Sequence, residues 1–206
     1  MPYVTAADIE ARLGGNVLPE QKAGIADALT SACEAINAWC KQTFTTAAAA
    51  SARTYTPVND WRARVDPFYT TTGLIIQTDT GDDGTFATTL TAAQYELVKF
   101  GGNSGNLLAA PYDTINALGV YFPRYGLRSF TVQVTAKWGW GAPPQNVIEA
   151  TKILTVELWK RKDTALGVST GGAHELGALR LSKSVFDQVE PLLRKFQRTD
   201  RTIGVG

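Results

Sequence analysis

Ser129-Phe130-Thr131-Val132-Gln133-Val134-Thr135-Ala136-Lys137-Trp138 alternates apolar and polar side chains. It runs without a linker into Gly139-Trp140-Gly141-Ala142-Pro143-Pro144 and then into an apolar stretch from Gln145 to Lys162. The alternation puts Phe130, Val132, Val134, Ala136 and Trp138 on one face, which predicts a strand. The glycines and prolines end it, and a proline suits the first turn of a following helix because its missing N–H has no partner there. Val147, Ala150, Leu154 and Leu158 then recur at helical spacing, and Ile148, Ile153, Val156 and Trp159 widen the stripe almost to a full circumference. Such a helix needs other elements around it.

Its natural partner lies a hundred residues upstream. After Pro19 a helix is predicted to about Thr43, with Ile25, Leu29, Ala32, Cys33, Ile36, Trp39 and Cys40 on one face. A shorter helix precedes it, capped by Thr5, carrying Asp8 in its first turn and stopped by Gly14-Gly15. Cys33 and Cys40 are the only cysteines. Seven residues apart on a helix they stand roughly 10 Å from one another and cannot bridge, so they read as small buried hydrophobes.

If the two long helices pack, what lies between them is an insertion. From Arg53 the composition turns to Thr, Tyr, Val and Trp with frequent Gly and Pro, the composition of short strands and tight turns. Residues 73–78 and 85–90 form the clearest hairpin candidate across the turn Asp79 to Gly84, and strands are also predicted at 95–100 and 117–122, with a loop at 101–106. Thr45 to Ser51, rich in alanine, suits either a frayed helix end or a connection into the strands. The expectation is an α+β fold: a helical core from 1–52 and 139–163, a β-rich insertion at 53–138, and a C-terminal arm at 164–206. That arm begins with the glycine-rich Gly167 to Gly177. It continues into an amphipathic piece with Ser184 as candidate cap, Asp187 three residues on, and Pro191 as a kink.

Twenty Lys and Arg against nineteen Asp and Glu leave a net charge of +1, so any contact with DNA needs local clustering. No apolar run approaches the roughly 20 residues that span a bilayer. The single histidine, His174, offers no base for a metal or catalytic pair, and no phosphate-binding glycine loop is present. Asp79-Thr80-Gly81-Asp82-Asp83-Gly84 resembles the start of a calcium loop, but Leu90 stands where the bidentate Glu belongs. Trp138, Trp140 and Trp159 are either core packing at a strand-to-helix corner or a sugar-stacking platform.

Val132-x-Val134-x-Ala136-x-Trp138-Gly139-Trp140, then Pro144, an alanine-bearing helix closing on Lys160-Arg161-Lys162, and Gly167-Val168 resemble the head-to-tail adaptor, or connector, family of long-tailed double-stranded DNA bacteriophages. The resemblance is firm over residues 129–168. It implies a structural virion protein, made in the host cytoplasm, with no turnover and no cofactor. Its subunits would form a homo-oligomer, a twelve-fold ring that docks on the portal protein, extends the channel for packaged DNA and offers a surface to the next neck or tail protein, without a membrane role. In that setting the C-terminal arm is expected to order only against the portal or an adjacent subunit. Val185, Phe186, Val189, Leu193 and Phe196 would be its anchors, and Arg194, Lys195, Arg198 and Arg201 would meet an acidic rim or DNA phosphates. An aromatic-rich carbohydrate-binding module and a hydrolase built on unrecognised acids are the alternatives.

Overall fold

The computed structural model describes residues 2–15, 17–102, 110–124, 126–164 and 183–198. The fold is α+β, and the chain divides into two compact units, Met1–Thr43 with Pro143–Thr199, and Phe44–Ala142.

The first unit is helical. Helix α1 (Ala6–Arg12) starts as its sequence dictates: the Thr5 hydroxyl accepts from Asp8 N at 3.2 Å, and the Asp8 carboxylate accepts from Thr5 N at 2.9 Å. These bonds from Thr5, its side chain first, hold the Asp8 carboxyl below its usual range. Helix α2 (Pro19–Cys40) buries Ile25, Ala28, Leu29, Ala32, Cys33, Ile36 and Cys40. It stops earlier than the apolar spacing predicts because Lys41 turns left-handed, φ 54°. Both cysteines are free thiols in this interior, and burial pushes Cys40 up to about 12 and Cys33 in the same direction.

Helix α3 (Gln145–Thr164) packs along α2, as the matching stripes predict. Its fully buried stripe is narrower than the composition suggests: Val147, Ala150, Thr151, Leu154 and Thr155. The two threonines are tolerated inside because each hydroxyl donates 2.7 Å to the carbonyl four residues back. Ile148, Ile153, Val156, Leu158 and Trp159 are only half-buried. Leu154, 1% exposed, sits in the middle of the stripe. Leu154→Ala is expected to cost about 2–5 kcal/mol, the range for a buried leucine that leaves a cavity. Urea denaturation followed by far-UV circular dichroism measures it, and an unmoved helical transition would refute the packing.

Helix α4 (Lys183–Leu193) runs through Pro191 and ends in a 3-10 turn, Arg194–Phe196. Its first residue is Lys183, so Ser184 lies inside the helix rather than at its cap. It packs on α3 and belongs to the helical unit. The glycine-rich stretch Gly167 to Gly177 lies outside the described residues.

The second unit is built of two antiparallel sheets. One has the order β1 (Ser51–Tyr55), β7 (Val132–Ala136), β3 (Ile75–Thr78), β4 (Thr88–Thr89); the other has β2 (Arg62–Phe68), β6 (Tyr112–Ala117), β5 (Tyr95–Lys99). The predicted hairpin forms, with Gln77 opposite Thr89 and Thr78 opposite Thr88. Strand β7 is interior to its sheet, so its alternation is decisive: Val132, Val134 and Ala136 are fully buried, while Phe130, before the strand, is 38% exposed. The strand expected at 117–122 is corrected to Tyr112–Ala117. Leu118 N is drawn to Gln94 O, and Gly119 turns at φ 68°, so pairing with β2 and β5 ends there.

The inner faces of both sheets meet in a core that includes Tyr55, Val65, Phe68, Ile76, Ile115, Phe122 and Trp138. Trp140 is also buried, its ring 5.2 Å from Phe44 and 5.5 Å from Phe100. The alanine-rich segment 45–51 proves to be the lead into β1: Thr46 bridges Gly139 and Ala47 N donates to Trp138 O at 2.8 Å.

Candidate functional site

The C-terminal segment was the sequence's first candidate, and three of its anchors are already in use. Val189, Leu193 and Phe196 are 1%, 2% and 1% exposed, closing the interior of the helical unit. Around them Arg198 N donates 3.1 Å to Cys40 O, Gln197 Nε2 donates 3.4 Å to Trp39 O, and Gln42 Nε2 donates to Phe196 O. The first two serve carbonyls that the end of α2 leaves without helical partners. Val189, Leu193 and Phe196, expected as partner anchors, are thus buried within their own subunit, as an amphipathic helix buries its apolar face on the surface its own chain supplies. Arg194 and Lys195 are exposed, with Lys195 Nζ 5.0 Å from the Phe196 ring centroid. Arg198 is half-buried. Arg201 and the side chains of Val185 and Phe186 lie outside the described residues.

The Trp138 and Trp140 rings do not form a sugar-stacking platform. Trp138 is 3% exposed, its Nε1 donates 2.9 Å to Ser51 O, and it packs on Tyr55 and Phe68. Arg53 lies over it, 4.8 Å from the ring centroid, and pairs at 2.6 Å with Asp66, which also accepts from the Tyr55 hydroxyl at 3.1 Å. Burial first, and then the Asp66 carboxylate, raise the Tyr55 hydroxyl well above its ordinary value.

The acidic turn is a latch rather than an ion loop. Asp79, itself buried, accepts from Asp83 N and Gly84 N, and Asp83 accepts from Thr85 N at 2.7 Å. Asp82, at φ 52°, reaches across to Leu127 N and Arg128 N. The contacts with Thr85, backbone first, hold the Asp83 carboxyl below its usual range. Carboxylate oxygens that satisfy backbone N–H groups in this way fasten loops together. Among the described residues no group of three or more His, Cys, Asp or Glu is placed to hold a metal ion.

The surface that sequence reasoning missed is an exposed aromatic pair. Trp61 and Tyr121, 47% and 63% exposed, stand with ring centroids 4.2 Å apart. Exposed Val58 and Leu118 lie on the same two loops. The loops are held firmly: Ala117 N donates 2.7 Å to Trp61 O, Phe122 N donates 2.8 Å to Asp60 O, and Arg124 pairs with Asp60 at 3.7 Å. A tryptophan directly after Asn59-Asp60, in a turn that gives it no core-facing period, was the available signal. Rigid, exposed aromatics flanked by aliphatics have the character of an interface hot spot.

No family model matches the chain, and no curated protein matches it. Among solved structures it is similar to a chain in the neck of an empty GTA particle computed with C6 symmetry. The similarity has a TM-score of 0.51 at 20% identity and covers 98% of this chain and 93% of that one. A chain in the virion of a native gene transfer agent (GTA) particle matches with a TM-score of 0.49 at 19% identity, covering 98% of this chain and 93% of that one. At this identity the first similarity establishes a shared fold. Among the described residues no helix is long and apolar enough to cross a membrane.

Proposed function

We propose that this chain is a structural virion protein of the neck, a head-to-tail adaptor whose subunits close into a ring on the portal, carry the DNA channel onward and present a surface to the next neck or tail protein. The observation that carries the reading is a fold shared over nearly the whole chain with a neck protein, joined to the Val132–Trp140 pattern of the adaptor family. A ring of twelve also obeys sixfold symmetry, the symmetry with which that neck was computed. The role is geometric and needs no turnover. Trp61 and Tyr121 are the surface we assign to a neighbouring protein in the assembly, and Arg194 and Lys195 supply cations for an acidic rim.

The test is the mass of the full chain in solution, alone and with purified portal. A ring or a portal-bound complex is expected, and a monomer indifferent to portal would refute the reading. Trp61→Ser is expected to weaken assembly by about 2 kcal/mol or more, roughly 30-fold, as truncation of an aromatic hot spot does. Its melting curve should stay close to that of the parent, because the ring is half in solvent. Unaltered assembly by Trp61→Ser would remove this residue from the interface.

A further inference from the structure

The two open sheets of the β unit have four edges, and an unpaired edge shows its backbone N–H and C=O groups to any other strand. Two of the edges are blunted. Strand β4 is only Thr88–Thr89, and at β2 the outward groups of Arg62 are taken by the turn before it: Arg62 N donates 3.2 Å to Asn59 O, and Val58 N donates 2.8 Å to Arg62 O. Further along β2, Pro67 O accepts from Gly139 N. The edges at β1 and β5 are blunted by neither device.

The alternation of each ladder fixes which groups face outward. Asp79 N donates 2.9 Å to Thr131 O, so Gln133 and Thr135 bond β3, while Val132, Val134 and Ala136 face β1. They take Tyr55, Arg53 and Ser51, which leaves the N–H and C=O of Ala52 and Thr54 pointing away from the sheet. On β5, Leu118 N donates 2.8 Å to Gln94 O, so Glu96 and Val98 bond β6. The carbonyl of Tyr95 and both backbone groups of Leu97 therefore point away. Ser51, Ala52, Arg53 and Glu96 are exposed, and Thr54, Tyr95 and Leu97 are half-buried. Strand β1 is also held in place, because Trp138 Nε1 bonds Ser51 O and Arg53 lies between Trp138 and Asp66.

We propose that β1 of one copy adds to β5 of a second copy, antiparallel, so that the β units of neighbouring subunits share a continuous sheet. In the register that pairs the outward groups, Ala52 exchanges both backbone bonds with Leu97, and Thr54 N–H donates to Tyr95 C=O. The same register sets Arg53 directly opposite Glu96, and this charge complementarity selects a second copy as the occupant. Among the described residues Glu96 is in no ion pair. Arg53 keeps Asp66 on one amino group and has further guanidinium donors for a second carboxylate. Opposite charges directly across a ladder favour the pairing. The edge that gives differs from the edge that receives, so the contact is heterologous, the kind that repeats around a ring. The inference deepens the neck reading and rests on it for closure into a ring.

Ala52→Pro tests the contact, because proline removes the outward N–H and leaves the bonds from β1 to β7 complete, as an edge strand tolerates. Its melting curve should stay close to that of the parent. Sedimentation of the full chain, alone and with purified portal, should show association weakened roughly tenfold or more, the loss of one ladder bond and the bulk of the ring. Glu96→Arg gives a second reading without touching the backbone, since it sets like charges opposite one another. Mixed, the two variants should form dimers that neither forms alone, because the first retains β5 and the second retains β1. Ala52→Pro that associates as the parent does, or a mixture no better than its components, overturns the proposal and leaves the neck reading standing. Oligomers that depend on β1 but neither close into rings nor bind portal would sink the neck reading alone. A parent chain that stays monomeric with and without portal overturns both.

Discussion

A chain truncated after Asp163 is expected to lose the cooperative fold of its helical unit. The cut removes α4 and the 3-10 turn, and with them Val189, Leu193 and Phe196, each no more than 2% exposed. Burying one large apolar side chain contributes about 1.5–3 kcal/mol, so three contribute about 5–9 kcal/mol, as much as the net stability of a typical domain. The donors from Gln197 and Arg198 to the carbonyls of Trp39 and Cys40 go at the same time. The truncated chain should show a broad, shallow far-UV melt and bind a hydrophobic dye. Phe196→Ala isolates the largest part and should cost about 3–5 kcal/mol. If the truncated chain melts as sharply and at the same temperature as the full one, the segment is a dispensable arm and the packing described above is wrong.

Gly139→Ala should damage the β unit almost as severely. Gly139 has φ 104°, a conformation in which an L side chain costs about 1–2 kcal/mol. The added Cβ would also overlap the carbonyl oxygen of Thr45, so backbone rather than a flexible side chain must give way. Relieving such overpacking costs about 1–3 kcal/mol more, for about 2–5 kcal/mol together. Movement here also disturbs the Thr46–Gly139 bridge and the bond from Gly139 N to Pro67 O. Gly119→Ala is the control: its φ is 68°, but nothing lies within 4 Å of an added Cβ, so only the strain of about 1–2 kcal/mol should appear. Urea unfolding followed by the fluorescence of Trp138 and Trp140, which flank the site, compares the two. Equal midpoints for both variants would show that the Thr45 contact does not restrain this turn.

The two predictions separate local from non-local information. Local sequence patterns determined the two long helices, the β7 strand and its buried face, the hairpin across Asp79–Gly84 and the capping of α1 by Thr5. Each is a regularity of a few residues that water and backbone geometry impose wherever the chain goes. The tertiary structure decided which surfaces were left over. Val189, Leu193 and Phe196 look the same in sequence whether an amphipathic helix meets a partner or its own subunit, and only the tertiary structure shows them buried, in a unit where α4 packs on α3. Trp61 and Tyr121 sit sixty residues apart with no period between them; they became a pair because β2 and β6 align the loops that carry them.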